Sequence, residues 1–114
     1  MISVYGLKNC DTCRKALKWL DAEGVAHAFY DLRKDGVTRD KIAHWVQAVG
    51  ADQLINRRGT TWRGLSEAEK NSVDGVHATD LIVEYPALIK RPLIEYDGGV
   101  LVGFGDAVQQ ALNE

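Results

Sequence analysis

The sequence predicts an α/β protein in which a βαβ unit and a ββα unit flank an all-helical segment. Three observations lead to this class. A strand–helix–strand pattern fills the first third, helix signals follow from about residue 38 to 85, and two short apolar runs close the chain around an Asp-Gly-Gly turn. With 114 residues, the chain has the size of one domain. We expect a single domain over residues 1–114, with its core at about 1–35 and 87–114 and a helical insertion at about 36–86.

The βαβ unit begins with Ile2–Gly6, a β-branched and aromatic run that ends in glycine, as buried strands do. From Asp11 to Glu23 apolar residues recur at helical spacing, and Gly24 follows as a C-terminal cap would. Apolar and polar residues alternate over residues 25–32, which predicts a second strand. Such a unit implies a parallel pair of strands joined by a right-handed crossover.

The middle of the chain carries helix signals only. Residues 38–49 form an amphipathic pattern that Gly50 ends, and Ser66 opens a Ser-x-x-Glu capping box at residues 66–73. A third helical pattern at residues 78–85 stops at Pro86. The last part of the chain predicts a β-hairpin, because two apolar runs at 93–96 and 100–102 are joined by the turn residues Asp97-Gly98-Gly99. A short helix at 106–112 completes the ββα unit.

Composition and charge exclude several classes of function. The chain is 46% hydrophobic and 26% charged, with a net charge of -2. Well-mixed charges give no general attraction for nucleic acid or an anionic membrane. No apolar run approaches the about 20 residues of a membrane helix, and the start of the chain turns polar too soon for a signal peptide. We therefore expect a cytoplasmic protein with reduced thiols, and a monomer, because no apolar surface stripe is left over.

The two cysteines, Cys10 and Cys13, lie two residues apart in LKNCDTCRKALKWL. Cys10 comes just before the first predicted helix, where free N–H groups and the helix dipole stabilise a thiolate. Lys8 adds positive charge. Cys10 is therefore the expected nucleophile, and Cys13, one helical turn on, could attack a mixed disulfide formed there.

Two other interpretations of the cysteine pair stay open. A zinc site needs four ligands, and the sequence has no second CxxC and no HxxxH, while His27, His44 and His77 are scattered. Alternatively, Cys13 is simply a small buried residue. In a cytosolic chain the spacing favours redox chemistry over both, and we expect no bound metal.

Two further stretches suggest an anion site. NRRGTTWR, at residues 56–63, offers arginine forks suited to carboxylates and oxyanions. The alternative is a solvated loop with Trp62 packed inward. In IKRPL, at residues 89–93, Pro92 stands where a strand begins, and an X-Pro bond is the only kind with an appreciable cis population. A plain trans proline is the alternative there.

Together, KNCDT (8–12), RRGTTW (57–62), KRPL (90–93) and the final GFGD resemble the ArsC/Spx family over essentially the whole chain. That family includes glutaredoxin-coupled arsenate reductases, Spx transcriptional regulators and a YffB-like branch, which the combination resembles most. The resemblance implies a thioredoxin-like fold with a helical insertion. It also implies that Cys10 is the nucleophile, that Pro92 is a cis-proline facing it, and that Arg91 helps to bind an oxyanion.

The resemblance gives less uniform guidance on the other residues. Arg58 matches an arginine shared with Spx and YffB-like proteins, whereas Arg57 lies closer to the arsenate reductase position. Where arsenate reductases carry a further arginine, this chain has Val102-Gly103-Phe104, which argues against arsenate reduction. Cys13 is extra to the arsenate reductase pattern and is similar to the CxxC of Spx.

These observations leave three functional hypotheses. We expect first a glutathione-linked thiol–disulfide reductase with no bound cofactor, in which Cys13 or glutathione resolves the mixed disulfide. An Spx-like redox sensor that binds RNA polymerase is the second hypothesis, and an arsenate reductase is the third. The residues expected to bind glutathione or a disulfide or oxyanion substrate are Lys8, Asn9, Thr12, Arg57, Arg58, Lys90, Arg91 and Pro92.

Overall fold

The computed structural model describes residues 2–73, 75–97 and 99–112. It confirms the α/β class, with one four-stranded sheet in the order β2-β1-β3-β4. The strands are β1 (Ile2–Gly6), β2 (His27–Asp31), β3 (Leu93–Tyr96) and β4 (Gly99–Val102). The helices are α1 (Asp11–Ala22), α2 (Arg39–Val49), α3 (Ala51–Leu54), α4 (Thr60–Arg63), α5 (Glu67–Asn71), α6 (Gly75–Glu84) and α7 (Asp106–Leu112), with a 3₁₀ turn at Pro86–Leu88.

The βαβ unit forms as predicted, with β1 parallel to β2 and α1 between them. The end of α1 explains the role of Gly24, which has a φ of 69°. Its N–H donates to the carbonyl of Asp21 at 3.2 Å, and the N–H of Val25 donates to the carbonyl of Leu20 at 2.9 Å. This pair of bonds is a Schellman motif, so the last carbonyls of the helix are satisfied as the chain turns into β2.

Strand β1 also pairs antiparallel with β3, and β3 pairs antiparallel with β4. Tyr5 lies opposite Leu93, so the residues just before β3 continue alongside the end of β1. The predicted three-residue turn was wrong at Gly99, which belongs to β4 and pairs with Tyr96. The ladder therefore starts one residue earlier than the apolar pattern indicated, and Gly98 lies outside the described residues.

The chain divides into two compact units, Met1–Asp35 with Arg91–Glu114, and Gly36–Lys90. Residues 87–90, which the sequence assigned to the core, group with the second unit. In the first unit a core forms where α1, α7 and the sheet contribute Leu20, Val108, Val4 and Ile94. Because Val4 and Ile94 lie opposite each other in the sheet, this core anchors β3 together with β1, the strand that leads to Cys10.

The second unit is built from α2 to α6 and the 3₁₀ turn. Thr38 caps α2 by accepting a hydrogen bond from the N–H of Lys41, and Ser66 and Glu69 form the predicted capping box of α5. Helix α2 packs against α6, with Trp45 fully buried. No helix in the described part of the chain is long and apolar enough to cross a membrane.

Candidate active site

Cys10 lies at the N-cap of α1, directly after the loop that leaves β1. Its N–H donates to the carbonyl of Leu7 at 3.2 Å, which closes a turn over Lys8 and Asn9. Its own carbonyl accepts the first bond of the helix, from the N–H of Arg14 at 3.0 Å. The side chain is partly exposed. A partly exposed sulfur at a helix N-terminus is accessible to a substrate and is close to the free N–H groups of the first turn.

The pKa of the Cys10 thiol lies below its ordinary value, although burial acts to raise it. The backbone N–H of Cys13, the Cys13 thiol, the backbone N–H of Thr12 and the positive charge of Arg91 all lower it, and together they outweigh burial. All four interactions favour the ionised sulfur. Because the thiolate is the attacking form of cysteine, Cys10 is prepared for nucleophilic chemistry.

Cys13 has the opposite character. It is 1% exposed, and burial, together with the hydrogen bond and charge of Cys10, raises the pKa of its thiol to about 11. The backbone N–H of Leu7 and the charge of Arg91 act against this rise without cancelling it. At neutral pH the pair therefore consists of an ionisable outer sulfur and a protonated inner one.

Arg91 belongs to the same unit as the cysteines and directly precedes Pro92, and the peptide bond between them is cis. Arg91 and Pro92 directly precede β3, whose first residue, Leu93, lies opposite Tyr5 near the end of β1, the strand that leads to Cys10. This position explains why the Arg91 charge acts on both thiols. Pro92 is buried, and its carbonyl accepts a hydrogen bond from the N–H of Gly103 at 2.8 Å.

Two residues that the sequence did not single out support the cysteine loop. The Nε of Arg14 donates to the carbonyl of Lys8 at 3.0 Å, so the first turn of α1 holds the loop before it. Asp31 ends β2, and its Oδ1 accepts from the N–H of Lys34 at 2.9 Å. That bond lowers the pKa of the Asp31 carboxyl, and the backbone N–H groups of Arg33 and Lys8 lower it to a smaller degree. Since Lys8 belongs to the loop before Cys10, its N–H links that loop to the end of β2.

Gly6 is a third residue that sequence analysis missed. A Cβ at this position would lie 2.5 Å from the sulfur of Cys13, closer than real Cβ atoms come to a neighbour. The glycine that ends β1 is therefore needed for the close approach of a side chain. An isolated glycine at a strand end can signal such a contact, but it does not indicate the partner.

The predicted arginine loop lies in the second unit, where its two arginines differ. The Nη2 of Arg57 pairs with Asp52 at 2.7 Å, and its guanidinium lies 5.3 Å from the ring centre of Trp62. Trp62 itself is partly buried. The backbone of Arg58 is held by Asn56 and by the Nη2 of Arg63, while among the described residues no partner is recorded for its guanidinium.

A cavity of about 470 Å³ opens on this loop. Its lining is mostly polar and includes the predicted Arg57, Arg58 and Lys90. Lys90 is fixed by its backbone N–H, which donates to the carbonyl of Leu54 at 2.8 Å. The remaining lining residues are Asp52, Ile55 and Asn56.

The structure thus places the predicted residues in two groups. Lys8, Asn9 and Thr12 are exposed around Cys10, and Arg91 and Pro92 complete this group within the first unit. Arg57, Arg58 and Lys90 form the second group, around the cavity. That Arg58 binds glutathione or the substrate stays a prediction. Among the described residues, no three His, Cys, Asp or Glu side chains gather as metal ligands.

Comparison with known proteins identifies the family. The sequence model of the ArsC family matches residues 5–112. The chain belongs to the ArsC family. An uncharacterised protein of Haemophilus influenzae is 47% identical over 111 residues, which span 97% of each chain. The global transcriptional regulator Spx of Streptococcus pneumoniae is 27% identical over 108 residues, covering 93% of this chain and 80% of the regulator.

Solved structures of this family share the fold. A YffB protein superposes with a TM-score of 0.90 at 40% identity, covering 97% of each chain. An arsenate reductase related protein of Brucella melitensis gives a TM-score of 0.77 at 38% identity, covering 99% of this chain and 94% of that one. The expected thioredoxin-like fold of the ArsC family is therefore confirmed, together with the resemblance to Spx, arsenate reductase-related and YffB proteins.

Proposed function

We propose that this ArsC-family protein is a glutathione-linked thiol–disulfide reductase that uses Cys10 as its nucleophile. The observation that carries the proposal is the asymmetry of the cysteine pair. The accessible sulfur at the start of α1 has a lowered pKa, while the pKa of its buried neighbour is raised to about 11. Such asymmetry is what a site needs if one sulfur is to attack while the other stays protonated.

The reaction proceeds in two exchanges. The Cys10 thiolate attacks one sulfur of a substrate disulfide, a bond forms between the two sulfurs, and the other substrate sulfur leaves with the electron pair and takes up a proton. A second thiolate then attacks the mixed disulfide and releases Cys10. When the substrate is a mixed disulfide with glutathione, the first exchange leaves that glutathione on Cys10 and releases the other substrate sulfur as a thiol. One free glutathione then attacks the glutathione sulfur, forms glutathione disulfide and releases Cys10.

Cationic residues support the choice of an anionic thiol. Glutathione carries two carboxylates, and arginine binds carboxylates with two parallel hydrogen bonds. Arg91, beside the cysteines, and Arg58 and Lys90, on the cavity of the second unit, are the proposed binding groups. Lys8, Asn9, Thr12 and Pro92 in the first unit, and Arg57 in the second, are further residues proposed to bind glutathione. We further propose that the protein acts as a monomer in the cytoplasm, where glutathione is available and thiols are kept reduced.

Calorimetry with glutathione tests the binding groups. A charged hydrogen bond contributes about 1.5–3 kcal/mol, so we expect Arg58→Ala and Arg91→Ala each to weaken glutathione binding about tenfold or more. Lys18→Ala, which removes an exposed cation of α1, is the matched control and should bind as the wild type does. Equal affinity in all four proteins would remove the support for glutathione as the co-substrate.

Turnover tests the reaction itself. The substrate is a mixed disulfide of glutathione with a small thiol, and the readout is the formation of glutathione disulfide in the presence of free glutathione. The wild type should turn over, and Cys10→Ser should not. Turnover that persists in Cys10→Ser would assign the chemistry to another group.

An Spx-like regulator is the second candidate, and the match to the Spx of Streptococcus pneumoniae over 93% of this chain favours it. In this case oxidation of the cysteine pair would change a docking surface for RNA polymerase, and turnover would be incidental. Purified RNA polymerase, captured on immobilised protein in the reduced and the oxidised state, distinguishes the two. Binding that depends on the oxidation state, without turnover, supports the regulator.

A further inference from the structure

Basic side chains gather at the end of the sheet where Cys10 lies. Strands β1 and β2 are parallel and end together, with Gly6 opposite Asp31. The N–H of Leu32 donates to the carbonyl of Gly6 at 2.8 Å, so the chain that leaves β2 starts beside the loop that leads to Cys10. Three exposed cations that follow the ends of these strands in the first unit form a basic rim: Lys8, Arg33 and Lys34.

Backbone hydrogen bonds fix the part of the rim that follows β2. Oδ1 of Asp31 accepts from the N–H of Arg33 at 2.8 Å and from the N–H of Lys34 at 2.9 Å. Oδ2 of Asp35 accepts from the N–H of Asp31 at 2.8 Å. Both carboxylates of this turn therefore bind backbone donors. Since the side chains of Arg33 and Lys34 do not hold the turn, their substitution should leave it intact.

Ion pairs do not neutralise the rim. Within the described ranges, none of its three side chains is paired with a carboxylate. The charge of Lys8 acts on Asp31, whose carboxylate is buried and already binds backbone N–H groups. By contrast, Arg14 in the first turn of α1 pairs with Asp11 at 3.3 Å. The rim is therefore free to attract an anionic group from solvent.

Several acidic residues of the same unit lie away from the rim. Asp21 and Glu23 are at the end of α1, at the far end of the sheet, because β2 starts shortly after them. Asp97 follows β3, which runs antiparallel to β1 and ends at the same far end. Asp106 lies after β4, at the edge of the sheet opposite β2. The β2 side of the cysteine end therefore has a local excess of positive charge.

The position of the rim beside Cys10 restricts what it could bind. A nucleic acid or a membrane surface would supply negative charge without a sulfur for Cys10 to attack, whereas a polypeptide with a cysteine among acidic residues supplies both. Neighbouring strands are about 4.8 Å apart, so the turn after β2 is one strand away from the cysteine loop. An extended peptide advances about 3.3 Å per residue, so acidic residues a few positions from its cysteine can reach the rim.

We propose that the basic rim is a docking surface for acidic polypeptides, so that Cys10 prefers a substrate disulfide on a protein cysteine flanked by Asp or Glu. The proposal rests on the proposed function in taking Cys10 as the nucleophile, but it does not depend on glutathione. In the exchange, one substrate sulfur becomes bonded to Cys10, and the other leaves with the electron pair and takes up a proton. The rim acts before this step, by raising the local concentration of acidic substrates.

Single-turnover exchange with short peptides tests the docking surface. Each peptide carries one cysteine as a pyridyl disulfide, flanked by Glu, Gln or Lys residues, and release of pyridinethione from the reduced protein gives the rate. At low ionic strength the Glu peptide should react about tenfold faster than the Gln peptide, and the Lys peptide should be slowest. Added salt should shrink these differences, because it screens exposed charges.

Substitutions in the turn after β2 assign the preference to the rim. Arg33→Gln and Lys34→Gln should each slow the Glu peptide about two- to threefold, and together they should remove most of its advantage. Arg33→Lys keeps the charge and should match the wild type. Lys18→Gln, which removes an exposed cation further along α1, is the matched control. The Gln peptide and uncharged iodoacetamide should react with Cys10 at the wild-type rate in all of these variants.

Other outcomes overturn the docking surface. Equal rates for the three peptides would do so, as would the absence of any reaction. A preference for the Glu peptide that stays undiminished when Arg33 and Lys34 are both changed would show that the turn after β2 does not bind the substrate. These rates need no glutathione, so a protein that shows the expected preference but fails the turnover assay refutes only the proposed function. Turnover with glutathione but without a peptide preference refutes only the docking surface.

Discussion

At alkaline pH, ionisation of the Cys13 thiol should destabilise the folded protein more than ionisation of an ordinary cysteine would. The unfolded chain exposes this thiol, which then ionises near its ordinary pKa of 9.0, whereas in the folded protein burial raises the pKa to about 11. The folded state therefore holds a proton that the unfolded state has lost. The stability that Cys13 contributes is fully present below about pH 9 and is lost as the pH rises to about 11.

The magnitude follows from the difference between the two pKa values. Each pKa unit corresponds to about 1.4 kcal/mol, and the difference is about two units, so the loss is about 2–3 kcal/mol. Cys10 contributes little to it, because its pKa lies below the ordinary value and it is ionised over most of this range in both states. A loss of this size is a large fraction of the typical stability of a small domain.

Urea denaturation followed by circular dichroism, under reducing conditions, measures this loss. The matched control is Cys13→Ser, whose hydroxyl does not ionise in this range, while all other titrating groups are shared. Relative to this variant, the wild type should lose about 2–3 kcal/mol of unfolding free energy between a pH below 9 and about pH 11. A difference between the two proteins that stays constant with pH would refute the reasoning.

Three further changes test other parts of the structure. Arg91→Gln should raise the pKa of Cys10 and slow its alkylation at neutral pH, because a positive charge that favours the thiolate is removed, whereas Lys18→Gln should leave both unchanged. Ser66→Ala removes the capping box of α5 and should lower the free energy of unfolding, measured by urea denaturation, by about 1 kcal/mol. It should not change the reactivity of Cys10. Ile94→Ala leaves a cavity at a fully buried position in the sheet and should lower the free energy of unfolding by about 2–5 kcal/mol in the same assay. A smaller loss than that caused by Ser66→Ala would contradict the described core.

Local signals account for most of the fold that the sequence predicted. The βαβ unit was predictable because its strand residues, helical spacing and Gly24 cap all act within a few positions of each other. The capping box at Ser66 is equally local, and it forms as expected. The predicted hairpin turn was one residue too long. Gly99 has no side chain that would extend the apolar pattern, so the sequence did not indicate that it pairs with Tyr96.

The candidate site was predictable only where the chemistry is local. Cys10 was found because a cysteine before a helix is a local pattern. The Gly6–Cys13 contact joins a strand end to a helix turn through space, and nothing in the spacing indicates it. Likewise, nothing in the sequence shows whether the guanidinium of Arg57 or that of Arg58 is already engaged by a neighbour. The structure distinguishes them, because Asp52 and Trp62 already engage Arg57.

The central claim is that Cys10 is the sulfur that attacks. The most direct measurement is to react the reduced protein briefly with one equivalent of glutathione disulfide, quench with acid and locate the adduct by peptide mass spectrometry. We predict a glutathione mixed disulfide on Cys10, formed faster in the wild type than in Arg91→Gln and reversed by free glutathione. An adduct first formed on Cys13, or a protein with no adduct and both cysteines still reduced, would contradict it.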